Sequence, residues 1–529
     1  MINGKKIIII GAGISGLTIA HKLMNTNNRV IIVEKSDEIG GLVTTYRTKK
    51  NGYPIEHSPR VFLENYYNLY KILKEIPLIN NNKKTCYDNL TKNLQSYVYD
   101  NNSDEKFSIN DVAFKIIKTL LLNFSLIEII KLFYIVCKYL LSGNKRLLEA
   151  DKIRLQDYIK SNNIKKWVST MCFIAGEHPT IMPLYKIIIY IEGIIKGDFS
   201  TKAMISPYSE SWLKHWEHLL LRKNVIILKN TEAKKLNYDK STNSITSIIV
   251  YDKNKNVEYK IDCDIVICSV DINSLISLTK NLNGNILQLG NLSKKANSEQ
   301  MGVQLYFNNK IKIPNYGNFS ILSDWYLIIS PQDKLWNNNI YLGNKVKSIW
   351  SVCIPDVNLY SKRLKKRAKD CSTKEITNEI MYQIRNTKSL LNNLKKIMPF
   401  HSIIWKSWYH NKDGKYTTRQ PYFGNTYNTI NLRPKNETNI KNMHISGTIT
   451  NTTYYITYVE GAVESGLEVV NKITGNNYQI YKHNNRIPFL KIIYEIDNIL
   501  YDLKLPSFFD ILLLVLLYFF VTKFFKVKK

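Results

Sequence analysis

The sequence predicts an α/β protein built on a discontinuous, Rossmann-like dinucleotide-binding domain, with an inserted α+β domain and an apolar C-terminal helix. Three observations carry this prediction. A hydrophobic strand at residues 6–10 runs into a glycine-rich turn and an apolar helix pattern. A second buried strand runs into a glycine near the other end of the chain, at 442–447. The segment 505–525 is almost wholly apolar.

The first element is the turn that holds Gly11, Gly13 and Gly16. In a βαβ unit the first glycine allows the tight turn, the second lets the backbone approach a pyrophosphate, and the third lets the helix lie close to the sheet. A pyrophosphate then lies at the positive end of the helix, where backbone N–H groups are unpaired. Ser15 lies in the same turn and is predicted to contribute to binding.

The second strand, at 30–33, ends at Glu34. A carboxylate about 20 residues beyond the glycines is placed to accept hydrogen bonds from the ribose hydroxyls of an adenosine, and it repels a 2′-phosphate. Lys35 follows directly and is predicted to belong to the same binding site. The spacing therefore favours a dinucleotide other than NADP.

A further glycine pair, Gly40-Gly41, follows this strand and leads to Arg47. Together with Glu34, the pair resembles the extended fingerprint of the flavin-containing amine oxidoreductases, which include amine oxidases, protoporphyrinogen oxidases and phytoene-type desaturases. The resemblance implies FAD as the cofactor, with Gly40, Gly41 and Arg47 near the pyrophosphate and the ribityl chain. Taken alone, the pair is also consistent with an ordinary turn.

The segments 442–447 and 458–466 resemble the closing motif of the same superfamily, in which a strand, a glycine and a small-residue helix complete the flavin site. A helix start beneath the ring directs N–H groups at the edge that becomes anionic on reduction. The resemblance covers most of residues 1–475 and assigns five residues to the flavin end: Gly447, Thr448, Val459, Glu460 and Gly461. Ala462, Ser465 and Gly466 are expected to leave room for this approach.

Two residues depart from the pattern of the superfamily. Thr448 stands where an acidic residue is common, and Ser58 stands where a glycine is usual in the loop 52–62. Amine oxidases also commonly carry a lysine near the reactive flavin nitrogen, on a strand that aligns with 299–303, and no lysine lies within that strand. Covalently flavinylated members use a cysteine shortly before the closing motif. Because no cysteine follows Cys371, FAD is expected to be noncovalent.

The cofactor domain is predicted to be interrupted twice. Its three parts are residues 1–85, 205–285 and 416–475, the substrate domain comprises 86–204 and 286–415, and a tail occupies 476–529. Short strands are predicted at 245–250, 259–261 and 265–268, longer ones at 301–307 and 320–329, and an amphipathic helix at 368–391. Val225 is placed against the adenosine by the resemblance, and a plain core valine is the alternative reading.

Several features of the substrate domain have two readings. The apolar helical stretches 111–142 and 181–195 are either core helices or a wall that contacts the bilayer or an apolar substrate. The pair Glu177-His178 is either an acid/base pair or a surface feature. The aromatic cluster around Trp405 and Trp408 either lines a cavity or belongs to the core; its other members are Tyr409 and His410.

The segment 505–525, followed by the lysine-rich end 526–529, is predicted to be a membrane anchor, whether it spans the bilayer or lies in its plane, with a buried core helix as the alternative. The main body is expected to face the cytoplasm. The net charge of +31 is spread along the chain among many Asn and Ile residues, so an anionic membrane is a better partner than nucleic acid. The seven cysteines form no disulfide framework, and no metal site is predicted.

The resemblance implies an FAD-dependent oxidoreductase similar to flavin-containing amine oxidases. It would oxidise an amine or a lipophilic small molecule by hydride transfer to noncovalent FAD. The alternatives are a membrane-associated enzyme similar to phytoene desaturases or protoporphyrinogen oxidases, or a catalytically silent flavin-binding membrane protein. Flavin oxidation needs little acid/base machinery from the protein. The sequence therefore assigns no catalytic residue.

Overall fold

The computed structural model describes most of the chain, in two compact units. The described residues are 3–92, 94, 96–100, 106–108, 125–154, 157, 182–196, 200–282, 289–313, 317–337, 339–387, 390, 394, 396–424, 426–453, 459–482 and 486–526. The first unit comprises 1–110, 200–424 and 432–482, and the second comprises 111–199, 425–431 and 483–529. Cys172 and the pair Glu177-His178 lie outside the described residues.

A five-stranded parallel sheet forms the centre of one part of the first unit. Its strands, in spatial order, are Ile226–Leu228, Arg29–Val33, Lys6–Ile10, Ile265–Cys268 and Met443–Ile445. The first strand of the chain lies in the middle, and Ile7, Ile8 and Ile9 are fully buried. A strand buried on both faces reads as a continuous apolar run. The predicted Rossmann-like α/β architecture is therefore confirmed.

Helices and a small antiparallel sheet surround this parallel sheet. The helices are Ile14–Leu23, Tyr67–Glu75, Lys214–Arg222, Ile272–Thr279, Leu289–Ala296 and Val459–Thr474. The antiparallel sheet contains Thr231–Asp239, Ser244–Asp252 and Val257–Asp262. It follows the alternating pattern predicted for 245–250 and 259–261, where apolar residues such as Ile248 and Val250 are fully buried.

A seven-stranded sheet forms the other large part of the first unit. Its strands, in order, are His401–Ile404, Met301–Phe307, Ser348–Ile354, Leu327–Pro331, Asn318–Leu322, Ser96–Asp100 and Lys106–Ser108. All neighbours are antiparallel except 318–322 and 96–100. The strand predicted at 320–329 is instead a hairpin, because residues 323–326 turn and Tyr326 has φ +49°.

The predicted helix at 368–391 is shorter in the structure, Thr373–Arg385. It begins where Ser372 and Glu375 form a capping box, which satisfies the first backbone N–H groups. Its buried face carries Ile376, Ile380 and Ile384, which belong to the core of the seven-stranded sheet.

Short two-stranded ribbons complete the first unit. Their pairs are Thr45–Arg47 with Pro54–Glu56, Phe62–Leu63 with Thr201–Lys202, Pro77–Leu78 with Asn81–Thr85, Asn297–Ser298 with Tyr422–Phe423, Tyr360–Ser361 with Lys366–Arg367, and Trp408–His410 with Tyr416–Thr418. A short helix at Gln332–Leu335 follows the hairpin of the large sheet.

The second unit is helical where it is described. Its helices are Leu126–Leu140, Asn144–Leu147, Leu184–Lys196, Lys491–Asp502 and Phe508–Lys526. The segment 181–195 was predicted to be either a core helix or a wall that contacts the bilayer or an apolar substrate. The helix at 184–196 is a core helix, because Leu184, Ile187 and Ile188 are fully buried. The helix at 126–140 buries one face and exposes the other.

Two buried ion pairs connect the C-terminal segment to the rest of this unit. Arg486 contacts the buried Glu192 (2.5 Å) and donates to the carbonyl oxygens of Tyr139 and Leu140 at the end of the 126–140 helix. Asp497, fully buried, accepts from the Gly143 N–H (2.8 Å) and from Arg146.

The predicted membrane helix at about 505–525 does form a helix, of 19 residues. However, among the described residues no helix combines the length and the apolar content needed to cross a membrane. The expectation of a transmembrane helix is therefore not supported.

Candidate cofactor site

One cavity of about 440 Å³ in the first unit collects most of the predicted binding residues. That volume lies within the range of small-molecule and cofactor sites. The predicted residues on its wall are Gly11, Gly13, Ser15, Glu34, Lys35, Gly40, Gly41, Gly447, Thr448 and Val459. Residues from the two ends of the chain therefore share one cavity.

The glycine turn leaves no room for side chains at two of its positions. Gly11 has φ +102°, and a Cβ there would lie 2.4 Å from the Ser269 carbonyl oxygen. A Cβ on Gly16 would lie 2.1 Å from the Gly11 carbonyl oxygen. Gly16 does not line the cavity, so its role is the close helix–sheet packing that the sequence predicted.

Gly13 differs from its two neighbours because a Cβ there would meet nothing within 4 Å. It precedes the helix Ile14–Leu23, whose start has neither a side-chain cap nor an acidic residue in its first turn. The first N–H groups of a helix need a partner, and the helix dipole favours an anion there. The open space at Gly13 therefore fits a phosphate group.

Glu34 is buried, and backbone hydrogen bonds fix its carboxylate. Oε2 accepts from the Ala12 N–H (2.7 Å), and Oε1 accepts from the Ser36 N–H (2.9 Å). Each carboxylate oxygen has a second lone pair, so further donors such as ribose hydroxyls are accommodated. Lys35 pairs with Asp271 (3.4 Å) at another part of the cavity wall.

The pair Gly40-Gly41 packs against the glycine turn. Both residues have positive φ, +103° and +60°. The Gly40 N–H donates to the Ala12 carbonyl oxygen (2.8 Å), and a Cβ on Gly41 would lie 3.5 Å from the Cα of Gly13. The second glycine pair and the glycine turn therefore form one continuous part of the cavity wall.

Another part of the cavity wall is formed by the closing strand and helix. Gly447 has φ +126°, and its N–H donates to the Ser465 hydroxyl (3.0 Å). Ser465 is fully buried and also contacts the hydroxyl groups of Thr450 (2.8 Å) and Ser446 (3.3 Å). Ser446 in turn contacts Ser15 of the first helix. This hydroxyl cluster, formed by Ser15, Ser446, Thr450 and Ser465, connects the two motifs.

Of the three small residues of the closing helix, one lines the cavity as expected and two have other contacts. Ala462 lines the cavity. A Cβ on Gly466, however, would lie 2.9 Å from the Ser15 carbonyl oxygen and 3.0 Å from the Thr18 Cβ. Gly466 therefore makes room for the first helix rather than for the flavin, and Ser465 belongs to the hydroxyl cluster.

Arg47 does not lie on the cavity wall, contrary to the prediction. Its guanidinium group donates to Glu210 (2.5 Å) and to the carbonyl oxygens of Gly52 (2.7 Å) and Tyr341 (2.8 Å). These contacts satisfy the side chain within the protein, so its role is to connect loops of the first unit.

Glu460, Gly461 and Val225 also lie away from the cavity wall. The fully buried Glu460 carboxylate accepts from the backbone N–H groups of Asn68 (2.9 Å) and Leu69 (2.9 Å), which lie in the first turn of the helix at 67–75. It therefore stabilises that helix start. Val225 is a buried core residue, which is the alternative reading stated above.

Three segments of the cavity wall were not predicted from the sequence. Residues 231–234, at the start of the strand Thr231–Asp239, line the cavity, as do 269–272 and 420–423. The strand 226–228 was a sequence signal for residues 231–234, because ligands bind outside the carboxyl ends of such parallel strands.

Buried ionisable side chains lie next to the cavity. Arg60 lines it and donates to the Leu42 carbonyl oxygen (2.7 Å). Burial raises the pKa of Glu56 to about 7, and its carboxylate accepts from Thr45 Oγ1 (2.7 Å). Burial, with the nearby positive charge of Arg60, lowers the pKa of His57 to about 3. Both side chains are therefore held in their neutral forms at mildly acidic pH.

The aromatic cluster at 405–410 belongs to the core rather than to the cavity wall. Trp405 is buried, and its ring lies 5.3 Å from that of Tyr46 and 5.8 Å from that of His57. Trp408 is also buried, whereas Tyr409 is 41% exposed. None of the cluster is among the residues that line the described cavity.

Comparisons of sequence agree with the start of the cavity. Residues 9–76 match the family model of NAD(P)-binding Rossmann-like domains. An L-amino acid oxidase of Bothrops pictus is 36% identical over 76 residues, 14% of this chain and 15% of the relative. One of Bungarus fasciatus is 40% identical over 57 residues, 11% of each. The chain thus spans no more than about one seventh of the length of these curated relatives in the matched segments.

Comparisons of structure extend over nearly the whole chain. A putrescine oxidase bound to putrescine has a TM-score of 0.58 at 13% identity and covers 89% of this chain and 99% of its own. A protein from Exiguobacterium sp. 255-15 assigned as a protoporphyrinogen oxidase gives 0.58 at 14% identity, with the same coverage. At such identities the likeness concerns the fold. The resemblance predicted from the two motifs is confirmed: this chain is similar to the amine oxidase-like flavoproteins and has their fold.

Proposed function

We propose that the chain is an FAD-dependent oxidoreductase, similar to flavin-containing amine oxidases, that oxidises an amine or a lipophilic small molecule. FAD is held noncovalently and, when bound, supplies the acceptor for a hydride equivalent from the substrate carbon. The chain's own residues bind and orient the cofactor.

The observation that carries this proposal is the single cavity that joins both motifs. At one end, open space at Gly13 faces an uncapped helix start, which fits a pyrophosphate. Next to it, the fixed carboxylate of Glu34 is placed for ribose hydroxyls. At the other end, Gly447 and Thr448 lie on the wall where the resemblance places the flavin.

One observation supports a lipophilic substrate as a second candidate. The resemblance places the lysine-bearing strand of amine oxidases at 299–303, and the strand found there, Met301–Phe307, is buried at every residue. A Cβ on Gly302 would lie 1.6 Å from the His57 carbonyl oxygen, so this strand has no room for any side chain at that position. An oxidation that does not need the lysine, as of an isoprenoid or a porphyrinogen, is therefore the second candidate.

The visible absorption spectrum of purified protein, recorded before and after denaturation, tests the cofactor. Flavin bands that are released into solution on denaturation are expected. Anaerobic reduction of the bound flavin by amines, polyenes or porphyrinogens then identifies the substrate class. Colourless protein that also fails to bind added FAD would contradict the proposal, and bound FAD that no substrate reduces would favour a catalytically silent flavoprotein.

A further inference from the structure

The second unit exposes an unusual amount of apolar surface on its terminal helix, Phe508–Lys526. Every residue from Leu514 to Val521 is 44–69% exposed. Eight consecutive residues make more than two turns, so the helix is apolar and exposed on all sides rather than along one stripe. A soluble surface helix normally has a polar face.

The start of this helix is fixed to the unit, so its direction is defined. The Asp510 carboxylate accepts from the Tyr134 hydroxyl (2.7 Å) and pairs with Lys138 (2.9 Å), both on the helix 126–140. The neighbouring Phe509 is buried and its ring lies 6.0 Å from that of Tyr134. The exposed part therefore begins one turn beyond a well-anchored first turn.

Two other helices of the unit add apolar side chains to the exposed surface, and both pack against the terminal helix. On the helix 126–140 these are Leu126, Ile127, Ile130 and Phe133, each 58–72% exposed. On the helix 491–502 and its end they are Ile492, Ile496, Ile499 and Leu503, each 39–71% exposed. Apart from the adjacent Leu126 and Ile127, their spacing of three or four residues places each set on one helix face.

We propose that this three-helix surface docks the chain onto one leaflet of an anionic lipid bilayer, with the terminal helix inserted into that leaflet. A protein groove would cover one side of that helix and leave the other apolar sides in water, whereas lipid surrounds it. Lys523 and the terminal lysines at 526–529 match the negative charge of anionic headgroups.

The geometry is consistent with insertion into one leaflet. The exposed stretch from Leu512 to Val521 is about 15 Å long at 1.5 Å per residue. This is about half of a typical hydrocarbon core of about 30 Å. The docking proposal does not depend on the cofactor, and it differs from a simple tail anchor because the body of the second unit also contacts lipid.

Flotation of the full-length protein with vesicles tests this docking. Vesicles of phosphatidylcholine containing about one third phosphatidylserine are expected to carry the protein upward, and phosphatidylcholine alone should carry less. The decisive variant is Ile130→Asp with Phe133→Asp, which leaves the terminal helix intact. We expect its partitioning to fall by at least about tenfold, because two inserted side chains become charged.

The matched control is Val257→Asp with Tyr259→Asp, which charges exposed apolar residues of the first unit (46% and 37% exposed) and should float like the unmodified protein. Circular dichroism checks that each variant is folded. Unchanged flotation of the Ile130/Phe133 variant would overturn the three-helix surface. A stable dimer in detergent-free buffer that does not float would overturn lipid as the occupant in favour of a second copy.

Discussion

The two ends of the cofactor cavity are built from different chemical groups. The nucleotide end consists mainly of backbone: Gly13 leaves open space before an uncapped helix start, Gly11 and Gly40 shape the turns beside it, and backbone N–H groups fix the Glu34 carboxylate. The flavin end depends on side-chain hydroxyl groups, because Ser465 holds the backbone at Gly447. The first end is therefore specified by steric limits, and the second by hydrogen bonds that distant segments must supply.

The substitution with the largest expected effect tests the steric limits of the nucleotide end. Gly16→Ala would place a Cβ 2.1 Å from the Gly11 carbonyl oxygen, and neither backbone can move without displacing the helix from the sheet. We expect the free energy of unfolding to fall by at least about 3 kcal/mol, at the upper end of overpacking effects. Urea denaturation of the FAD-free protein measures it.

Gly13→Ala is the comparator, since its Cβ meets nothing within 4 Å in the protein itself. Its unfolding midpoint should stay near that of the unmodified protein, while FAD affinity falls because the methyl group occupies the space next to the helix start. Gly290→Ala, also without a neighbour within 4 Å, should change neither binding nor the cavity. Equal stability losses in the Gly13 and Gly16 variants would contradict the division of roles.

The next effect concerns the buried titratable pair Glu56 and His57. Above pH 4.5 the unfolded chain releases the Glu56 proton, while the folded protein keeps it up to about pH 7, so stability falls as pH rises. For His57 the unfolded chain binds a proton below pH 6.5, while the folded protein stays neutral to about pH 3, so stability rises with pH. Between pH 4.5 and 6.5 the two contributions oppose each other.

The two single substitutions should therefore change the pH dependence of the unfolding free energy in opposite directions. From pH 4.5 to 6.5, the unfolding free energy of Glu56→Gln should rise by about 2 kcal/mol more than that of the unmodified protein, and that of His57→Gln should fall by a similar amount. Ser58→Ala, which removes a neighbouring hydroxyl but no titratable group, should follow the unmodified protein. Parallel pH profiles of the unfolding free energy for all four proteins would contradict the opposite contributions of Glu56 and His57.

The success of the sequence-based predictions of site residues depends on whether the contacts of a residue are close in the chain or remote. Gly11, Gly13 and Glu34 lie close in the chain, so their spacing alone predicted that they share one site, and all three line the same cavity. Arg47 was misplaced because its partners Glu210 and Tyr341 are remote in sequence. Glu460 was misplaced for the same reason, since its carboxylate stabilises a helix start almost 400 residues earlier.

The fold shows the same contrast between local and distant information. The buried strands 6–10 and 265–268 were predicted from continuous apolar runs, whereas the turn at 323–326 was missed although Ser323 and Asp324 interrupt the apolar pattern there. The terminal segment was predicted as a helix from its composition. Its surroundings were not predictable, since the contacts of Asp510 with Tyr134 and Lys138 arise only in the folded unit.

The smallest expected effect tests the hydroxyl cluster at the flavin end. Ser465→Ala removes the acceptor of the Gly447 N–H and leaves buried polar partners without their bonds, which costs about 1–3 kcal/mol of stability. FAD affinity should fall by about tenfold because the loop at Gly447 loses its support, and the flavin absorption band should shift. Thr474→Ala removes a buried hydroxyl from the same helix, which donates to the Val470 carbonyl oxygen and accepts from the Asn476 N–H, and should lower stability without changing FAD affinity. If both variants bind FAD as the unmodified protein does, the cluster only stabilises the fold, and the flavin end would depend on backbone geometry as the nucleotide end does.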